Sequence, residues 1–253
     1  MSKNAGIIGL GLIGGSIGIA LREAGWFVVG QDIAPDQEAL AIEIGAVDAI
    51  GTMDNVDIAF VATPVGSIVD AVLQAIEEGA QTVTDVGSVK GSIVQEINNP
   101  KFVPGHPMAG SEQEGIRGAR GDLFRGAAWV LTPAEVTDDD HFAEVRASIV
   151  EIGADVVVID ADSHDELVAV VSHVPHLTAG ALMRIADEHS QEHRPLLRLA
   201  AGGFRDMTRI AAGHPGIWPD ICIDNSEAIL SVIREVITAL EETQSIIAAR
   251  DNE

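Results

Sequence analysis

A histidine between glycines is the first feature of this chain that suits acid–base chemistry. The segment GHPMAGSE occupies residues 105–112 and places an imidazole at His106 and a carboxylate at Glu112. A neutral imidazole can take a proton from a substrate hydroxyl near physiological pH. A His-Pro pair beside glycines is more often an ordinary turn. We predict a loop here, whose role depends on the elements that position it.

The amino-terminal stretch predicts a dinucleotide-binding turn. An apolar run over residues 5–9 leads into the motif GLGLIG at residues 9–14, and a helical pattern follows until Gly25. A second apolar run then leads to Asp32, 18 residues after Gly14. The first glycine permits a tight turn, the second lets the backbone approach a pyrophosphate, and the third allows a helix to pack closely on a strand. The phosphates would lie on amides at the helix N-terminus.

Asp32 favours NAD over NADP as the cofactor. A carboxylate at this position accepts hydrogen bonds from a ribose 2′-hydroxyl and repels a 2′-phosphate. The next residues, 33–35, include no arginine that would accommodate such a phosphate. The predicted cofactor contacts are Gly9, Gly11, Leu12, Ile13, Gly14, Asp32, Thr63 and Pro64.

Strand and helix patterns alternate through the rest of the first half, which predicts an α/β domain over residues 1–160. The predicted strands are residues 56–62, 81–84, 128–131 and 154–159, and the predicted helices are residues 68–76, 91–97 and 138–152. Ligands bind beyond the carboxyl ends of the strands in open α/β sheets. Thr63, Ser88 and His106 are therefore expected on one rim, where a nicotinamide ring and a substrate would meet.

After Asp160 the apolar spacing is helical and strand patterns cease. Ser163 and Glu166 match a capping box, which predicts that a helix begins there. Pro175 removes a helical hydrogen bond and predicts a kink in this helix. The histidines on this helix are His164, His173 and His176.

The last part of the chain predicts substrate binding and self-association. Arg209 lies in an apolar stretch of a strongly acidic chain, where a guanidinium suits two-point recognition of a carboxylate. An amphipathic helix is predicted over residues 221–249. Residues 161–253 are therefore expected to form a helical substrate domain that also makes a homodimer through its helices.

Four separated blocks resemble the prephenate and arogenate dehydrogenases of tyrosine biosynthesis. They are GLGLIGG at residues 9–15, DVGSVK at 85–90, GHPMAGSE at 105–112, and SHVPH at 172–176 together with GGFRDMTR at 202–209. The resemblance covers about residues 5–245. It implies a Rossmann-type NAD-binding domain followed by an all-helical domain, in an arrangement like that of 6-phosphogluconate dehydrogenase. It also implies NAD-dependent oxidative decarboxylation of prephenate to 4-hydroxyphenylpyruvate.

The same resemblance implies roles for individual residues. His106 matches the family's catalytic histidine, which takes the proton of the ring hydroxyl, and Ser88 matches a serine that orients this histidine. Glu112 matches an acid at the pocket rim. Two pocket histidines are matched by His164 and His176, and the arginine that holds a substrate carboxylate is matched by Arg209.

Three alternatives remain open at the level of the sequence. An acid near the substrate side chain, such as Glu112, would favour the ammonium group of arogenate, which would give tyrosine directly. A reductase of the 3-hydroxyacid or imine type would share the two-domain plan, but residues 154–253 contain no lysine that could serve as its proton donor. A non-catalytic NAD-binding regulator would keep only the glycine turn. We also expect no mutase domain before Ala5 and no regulatory module after Glu253, and so no tyrosine feedback through such a module.

Composition limits the classes of partner. The formal charge of −24 comes from 39 acidic and 15 basic residues, so nucleic acid and anionic membranes are not expected as partners. No apolar run of membrane-spanning length is expected, and the single cysteine, Cys222, offers neither an internal disulfide nor a multi-cysteine metal site. We therefore expect a cytoplasmic protein without a structural metal. A salty habitat is one hypothesis for the acidity, which a melting temperature that does not rise with salt would contradict.

Overall fold

The computed structural model describes residues 3–111, 113, 115–213 and 215–249. It divides the chain into two compact units, Met1–His164 and Asp165–Glu253. His164 is the last residue of the first unit.

A six-stranded parallel sheet forms the centre of the first unit. Its strands are β1 (Asn4–Ile8), β2 (Phe27–Gln31), β3 (Ala49–Ile50), β4 (Ile58–Val61), β5 (Thr82–Asp85) and β6 (Phe102–Val103). Their order across the sheet is β3-β2-β1-β4-β5-β6. The order reverses between β1 and β4, and ligands bind at the carboxyl end of such a reversal. The predicted Rossmann-type fold is confirmed.

Helices flank this sheet because its strands are apolar on both faces. The helices are α1 (Leu12–Glu23), α2 (Pro35–Glu43), α3 (Ile68–Glu78), α4 (Gly91–Glu96) and α5 (Asp139–Glu151). In β4, Ile58 and Phe60 belong to one core cluster, whereas Ala59 and Val61 belong to another. Successive side chains of a strand point to opposite faces, so the two clusters lie on opposite sides of the sheet. Burial of each large apolar side chain contributes about 1.5–3 kcal/mol to stability.

A separate three-stranded sheet carries the candidate histidine. Its strands are β7 (Gly105–Pro107), β8 (Ala128–Leu131) and β9 (Asp155–Val158), with β7 antiparallel and β9 parallel to β8. His106 pairs with Val130, so the prediction of a loop at His106 is wrong. A strand of three residues is too short to show an alternating pattern, and a proline within it argues against a strand.

Helix α6 (Ala161–Val168) begins before the predicted capping box. The Asp160 carboxylate accepts hydrogen bonds from the Ser163 amide at 2.8 Å and from the Ser163 hydroxyl at 2.7 Å. These bonds hold the pKa of the Asp160 carboxyl below its ordinary value. The prediction that Ser163 starts the helix is therefore wrong, because aspartate caps a helix as well as serine does and stands closer to its start.

Within the described residues, the second unit contains helices and turns but no strand. Its helices after α6 are α7 (Val174–Glu192), α8 (Leu196–Leu199), α9 (Gly202–Thr208), α10 (Trp218–Asp224) and α11 (Ser226–Ala249). The turn Ala169–His173 before α7 is a π-helix. Such a widened turn accommodates Pro175, which has no N–H to donate. The single helix predicted over residues 221–249 is instead two helices that separate at Asn225.

The continuous helical stretch Ala161–Glu192 is long and apolar enough to cross a membrane, judged by length and composition alone. Its most apolar 18-residue window has a mean hydropathy of 1.2, and 28% of that window is buried. This finding differs from the expectation that no run reaches such a length. It is weak evidence for a membrane segment, because a core helix can pass the same test.

Candidate active site

The glycine turn has the backbone geometry that a pyrophosphate requires. Gly9 has a φ of +94°, and a Cβ there would lie 2.5 Å from the carbonyl oxygen of Ala62. A Cβ at Gly14 would lie 1.9 Å from the carbonyl oxygen of Gly9. A Cβ at Gly11 would meet no described heavy atom within 4 Å. Close packing therefore requires glycine at the two outer positions, and the open space at Gly11 leaves room for a phosphate.

The N-terminus of α1 can bind an anion. Gly11 is its N-cap residue and provides no side-chain cap, and the first turn contains no acidic residue. The amides of Leu12 and Ile13 therefore point out of the helix end, where the helix dipole favours negative charge. Thr63 follows β4, and its hydroxyl is buried without a partner among the described residues. Pro64 follows Thr63 and precedes a short 3₁₀ turn. These groups fit NAD.

Two carboxylates lie at the end of β2. The Asp32 carboxylate accepts hydrogen bonds from the Leu10 amide at 2.7 Å and the Ala34 amide at 2.9 Å. A carboxylate has about four acceptor sites, so Asp32 can still accept from ribose hydroxyls. Glu38, which sequence reasoning missed, accepts from the Asp32 amide at 3.1 Å. A 2′-phosphate would meet both negative charges, which favours NAD.

His106 and His164 form a buried hydrogen-bonded pair. His106 Nδ1 lies 2.9 Å from His164 Nε2, although 58 residues separate the two in the chain. His106 is 9% exposed and His164 is fully buried. A neutral imidazole donates from one nitrogen and accepts at the other. With the Nδ1–H of His106 donated to His164, Nε2 of His106 carries the lone pair that a base needs.

This geometry gives His106 a contact that the sequence did not predict. The sequence predicted that Ser88 orients His106 and that His164 contacts the substrate. In the structure, His106 Nδ1 is hydrogen-bonded to His164 Nε2. Ser88 is partly exposed in the loop after β5, one residue beyond a glycine whose amide is held by Asp85. Neither Asp85 nor its partner Lys90 had been singled out as a site residue from the sequence.

In the second unit, one backbone contact brings two predicted pocket residues together. The Nδ1–H of His176 donates to the Ile210 carbonyl oxygen at 3.0 Å, and Arg209 is the residue before Ile210. Arg209 is exposed. Burial lowers the pKa of His176, and the hydrogen bond to Ile210 opposes that shift in part. His176 is therefore neutral at neutral pH and presents Nε2 as an acceptor.

Two residues of the second unit were missed from the sequence. The His176 ring stacks on Trp218, with ring centroids 3.5 Å apart and planes 10° apart. The Asn225 side-chain amide donates to the Asp165 carbonyl oxygen at 2.8 Å and to His173 Nδ1 at 3.1 Å. The chain contains only three tryptophans, which is a weak signal for Trp218. No sequence signal pointed to Asn225.

One predicted site residue, Glu112, lies outside the described residues. Among the residues that are described, no group of three or more His, Cys, Asp or Glu side chains is placed to hold a metal ion.

Two family models match the chain. The nucleotide-binding domain of prephenate dehydrogenase matches residues 17–158, and the dimerization domain of prephenate dehydrogenase matches residues 160–253. The chain belongs to the prephenate dehydrogenase family. This membership confirms the resemblance inferred from the four sequence blocks, and with it an NAD-dependent dehydrogenase.

Individual relatives agree with this assignment. A prephenate dehydrogenase from Bacillus subtilis (strain 168) is 34% identical over 263 residues, which cover 98% of this chain and 71% of that protein. The structure of prephenate dehydrogenase from A. aeolicus in complex with hydroxyphenyl propionate and NAD+ has a TM-score of 0.91 at 31% identity, covering 100% of this chain and 93% of that one. Synechocystis arogenate dehydrogenase has a TM-score of 0.82 at 30% identity, covering 98% of this chain and 93% of that one.

Proposed function

We propose that this dehydrogenase oxidises prephenate to 4-hydroxyphenylpyruvate in tyrosine biosynthesis, with His106 as the base. The observation that carries the proposal is the buried hydrogen-bonded pair of His106 and His164. When His106 donates its Nδ1–H to His164, Nε2 of His106 is its accepting nitrogen. The pair lies near the carboxyl end of β5, because the amide of Gly105 is hydrogen-bonded to Asp85 there. That end of the sheet is where a cofactor and its substrate meet in this fold.

The reaction needs only a moderate base. A hydride leaves ring C4 of prephenate, and bound NAD supplies the acceptor for it. His106 Nε2 takes the proton of the C4 hydroxyl as the carbon–oxygen bond becomes a carbonyl. The bond to the ring carboxylate then breaks to release carbon dioxide, its electron pair enters the ring, and the oxygen regains a proton from His106. Since aromatisation drives these steps, a neutral imidazole suffices.

We assign the substrate carboxylate to Arg209. Its exposed guanidinium can form two parallel hydrogen bonds with a carboxylate. His176 offers an acceptor nitrogen in the same neighbourhood of the second unit. Ser88 is assigned to the reacting hydroxyl, and Glu112 to the rim of the pocket, as the family motifs imply.

Arogenate is the alternative substrate, and one assay separates the two. Purified protein is mixed with NAD and either prephenate or arogenate, and formation of reduced nicotinamide is followed by absorbance; NADP replaces NAD in a second series. We expect turnover with prephenate and NAD. Turnover with arogenate alone would instead assign Glu112 to the substrate ammonium. Silence with both substrates, at low and high salt, would refute the proposed function.

Replacing His106 tests the catalytic role against a non-catalytic regulator. His106→Asn should lower kcat by roughly two to four orders of magnitude, because a general base contributes that much. NAD affinity should stay unchanged, since the glycine turn is intact. His189→Asn is the matched control, because His189 is an exposed histidine on α7. Unchanged kcat in His106→Asn would remove this histidine from the mechanism.

We also propose a cytoplasmic homodimer that associates through the second unit. Helix α11 exposes a series of large apolar side chains: Leu230, Ile237, Leu240, Ile246 and Ile247. A series of exposed apolar side chains on one helix is typical of an interaction surface, and the matching family model is that of a dimerization domain. Light scattering on the wild type and on Leu240→Glu tests this proposal. A dimeric wild type and a weakened variant are expected, whereas a monomeric wild type would contradict it.

A further inference from the structure

One buried carboxylate holds both segments that carry the predicted catalytic residues of the first unit. Asp85 is the last residue of β5 and is fully buried. Its Oδ2 accepts a hydrogen bond from the Gly87 amide at 2.8 Å, and its Oδ1 accepts one from the Gly105 amide at 3.1 Å. Gly87 directly precedes Ser88, and Gly105 directly precedes His106. Each catalytic residue is thus one residue away from an amide that Asp85 holds.

The countercharge for this carboxylate is also buried. The Lys90 ammonium donates to Asp85 Oδ2, and both side chains have an exposure of 0%. A deprotonated carboxylate can accept all three hydrogen bonds, from two amides and one ammonium. The ammonium is the buried countercharge of this carboxylate, and buried charges are usually paired in this way.

Glycine at both amide positions allows the two segments to pack closely against Asp85. A Cβ at Gly87 would lie 2.9 Å from Asp85 Oδ2 and 2.5 Å from the end of Ile68. A Cβ at Gly105 would lie 3.0 Å from the Asp85 carbonyl oxygen and 3.0 Å from the indole nitrogen of Trp129. The backbone of both segments is therefore packed directly against Asp85.

We propose that Asp85, with Lys90 as its countercharge, is a positioning residue that fixes the Ser88 loop and the His106 strand relative to each other. The inference rests on the proposed function for what these two residues do. Replacing a buried ion pair by apolar side chains is often neutral or stabilising. Apolar side chains, however, could not accept hydrogen bonds from both amides. The pair thus serves alignment of the site more than it serves stability.

The test compares Asp85→Asn, Lys90→Met and the double variant. The asparagine side chain in Asp85→Asn would have only one acceptor oxygen. Its NH₂ group would face a donor that Asp85 now accepts from, so one side chain could no longer hold both segments. We expect kcat with prephenate to fall roughly 10- to 100-fold, as a misplacement near 1 Å would cause. The KM and the dissociation constant of NAD should change by less than about 3-fold, because neither the glycine turn nor Arg209 is touched.

The double variant separates alignment from stability. Lys90→Met leaves a buried carboxylate without its countercharge and should have the lowest melting temperature. Asp85→Asn combined with Lys90→Met removes both charges, so its melting temperature should recover while kcat stays low. It also keeps the test available if a single variant fails to fold. Recovery of kcat together with the melting temperature would overturn the proposal, as would a folded Asp85→Asn with wild-type kcat.

A matched control lies beside another strand of the same sheet, at the residue before β3. Asp48 also accepts a backbone amide hydrogen bond, from Val28 at 2.8 Å, and also pairs with a cation, Arg22, at 2.8 Å. Asp48→Asn should therefore lower the melting temperature without changing kcat. A loss of kcat equal to that of Asp85→Asn would show a general effect of stability and would overturn the positioning role.

Hydrogen exchange gives a readout that does not depend on turnover. In Asp85→Asn, peptides that cover Gly87 and Gly105 should exchange at least about tenfold faster than in the wild type, while peptides from β1 and β2 stay protected. Unchanged exchange at both glycines would refute the inference. This measurement tests the positioning role of Asp85 even if the wild type turned over neither substrate. Absence of turnover would refute the proposed function alone.

Discussion

Replacing His164 by alanine tests whether this histidine orients the base or contacts the substrate. The change removes the acceptor that lies 2.9 Å from His106 Nδ1. His106 is only 9% exposed, so its Nδ1–H would lose this hydrogen bond in a place that water reaches poorly. An unsatisfied buried donor costs about 1–3 kcal/mol. If the activation free energy rises by this amount, kcat falls about 5- to 150-fold, because 1.36 kcal/mol corresponds to a factor of ten in rate.

The assay is steady-state formation of reduced nicotinamide, with kcat and KM resolved separately. NAD affinity is measured independently by quenching of tryptophan fluorescence and should not change. His164→Gln is the matched variant, because a glutamine amide oxygen can still accept a hydrogen bond. It should lose less than about tenfold in kcat, since the acceptor is kept with imperfect geometry.

Two results would refute this reasoning. A folded His164→Ala with wild-type kcat would show that the hydrogen bond does not prepare His106 as a base. A rise in KM with kcat unchanged would show uniform loss of substrate binding, which is the role that the sequence resemblance implied for His164.

Three other predictions concern the cofactor, the substrate anchor and pH. Arg209→Ala should raise the KM for prephenate about 10- to 100-fold with little change in kcat, since hydrogen bonds to charged groups contribute about 1.5–3 kcal/mol. Arg198→Ala is the control. A loss of kcat alone in Arg209→Ala would contradict the proposed contact of Arg209 with the substrate carboxylate. Asp32→Ser should weaken NAD and relieve repulsion of NADP only in part, because Glu38 remains; equilibrium binding of both dinucleotides measures this, and unchanged affinity for NAD would contradict it. Since the pKa of His176 is lowered in the folded state, the unfolded chain binds this proton more readily, so stability should fall as pH drops through the ordinary histidine range. Denaturant titrations at a series of pH values give the free energy of unfolding of the wild type and of His176→Asn. The dependence of this free energy on pH should be weaker in His176→Asn, and an equal dependence in both proteins would exclude His176 as the cause.

Much of the first unit was predictable because its signals are local. The glycine turn, the helix after it and Asp32 lie within 24 residues, and the tight turn and the close helix–strand approach each demand glycine wherever the chain is placed. The strand at residues 128–131 follows from an apolar run in its own sequence, and the helix at residues 68–78 follows from the helical spacing of its apolar residues. Thus the Rossmann-type fold, NAD and the family were determined by the sequence.

Contacts between distant residues were decided only by the tertiary structure. The chain brings His164 to His106 across 58 residues and Gly105 to Asp85 across 20. The segment around His106 is a strand because β8 supplies its backbone hydrogen-bond partners, and a pattern of three residues cannot predict such pairing. A sequence states which donors and acceptors exist. Which of them meet depends on how the strands and helices that carry them pack, and that packing is set by the whole core.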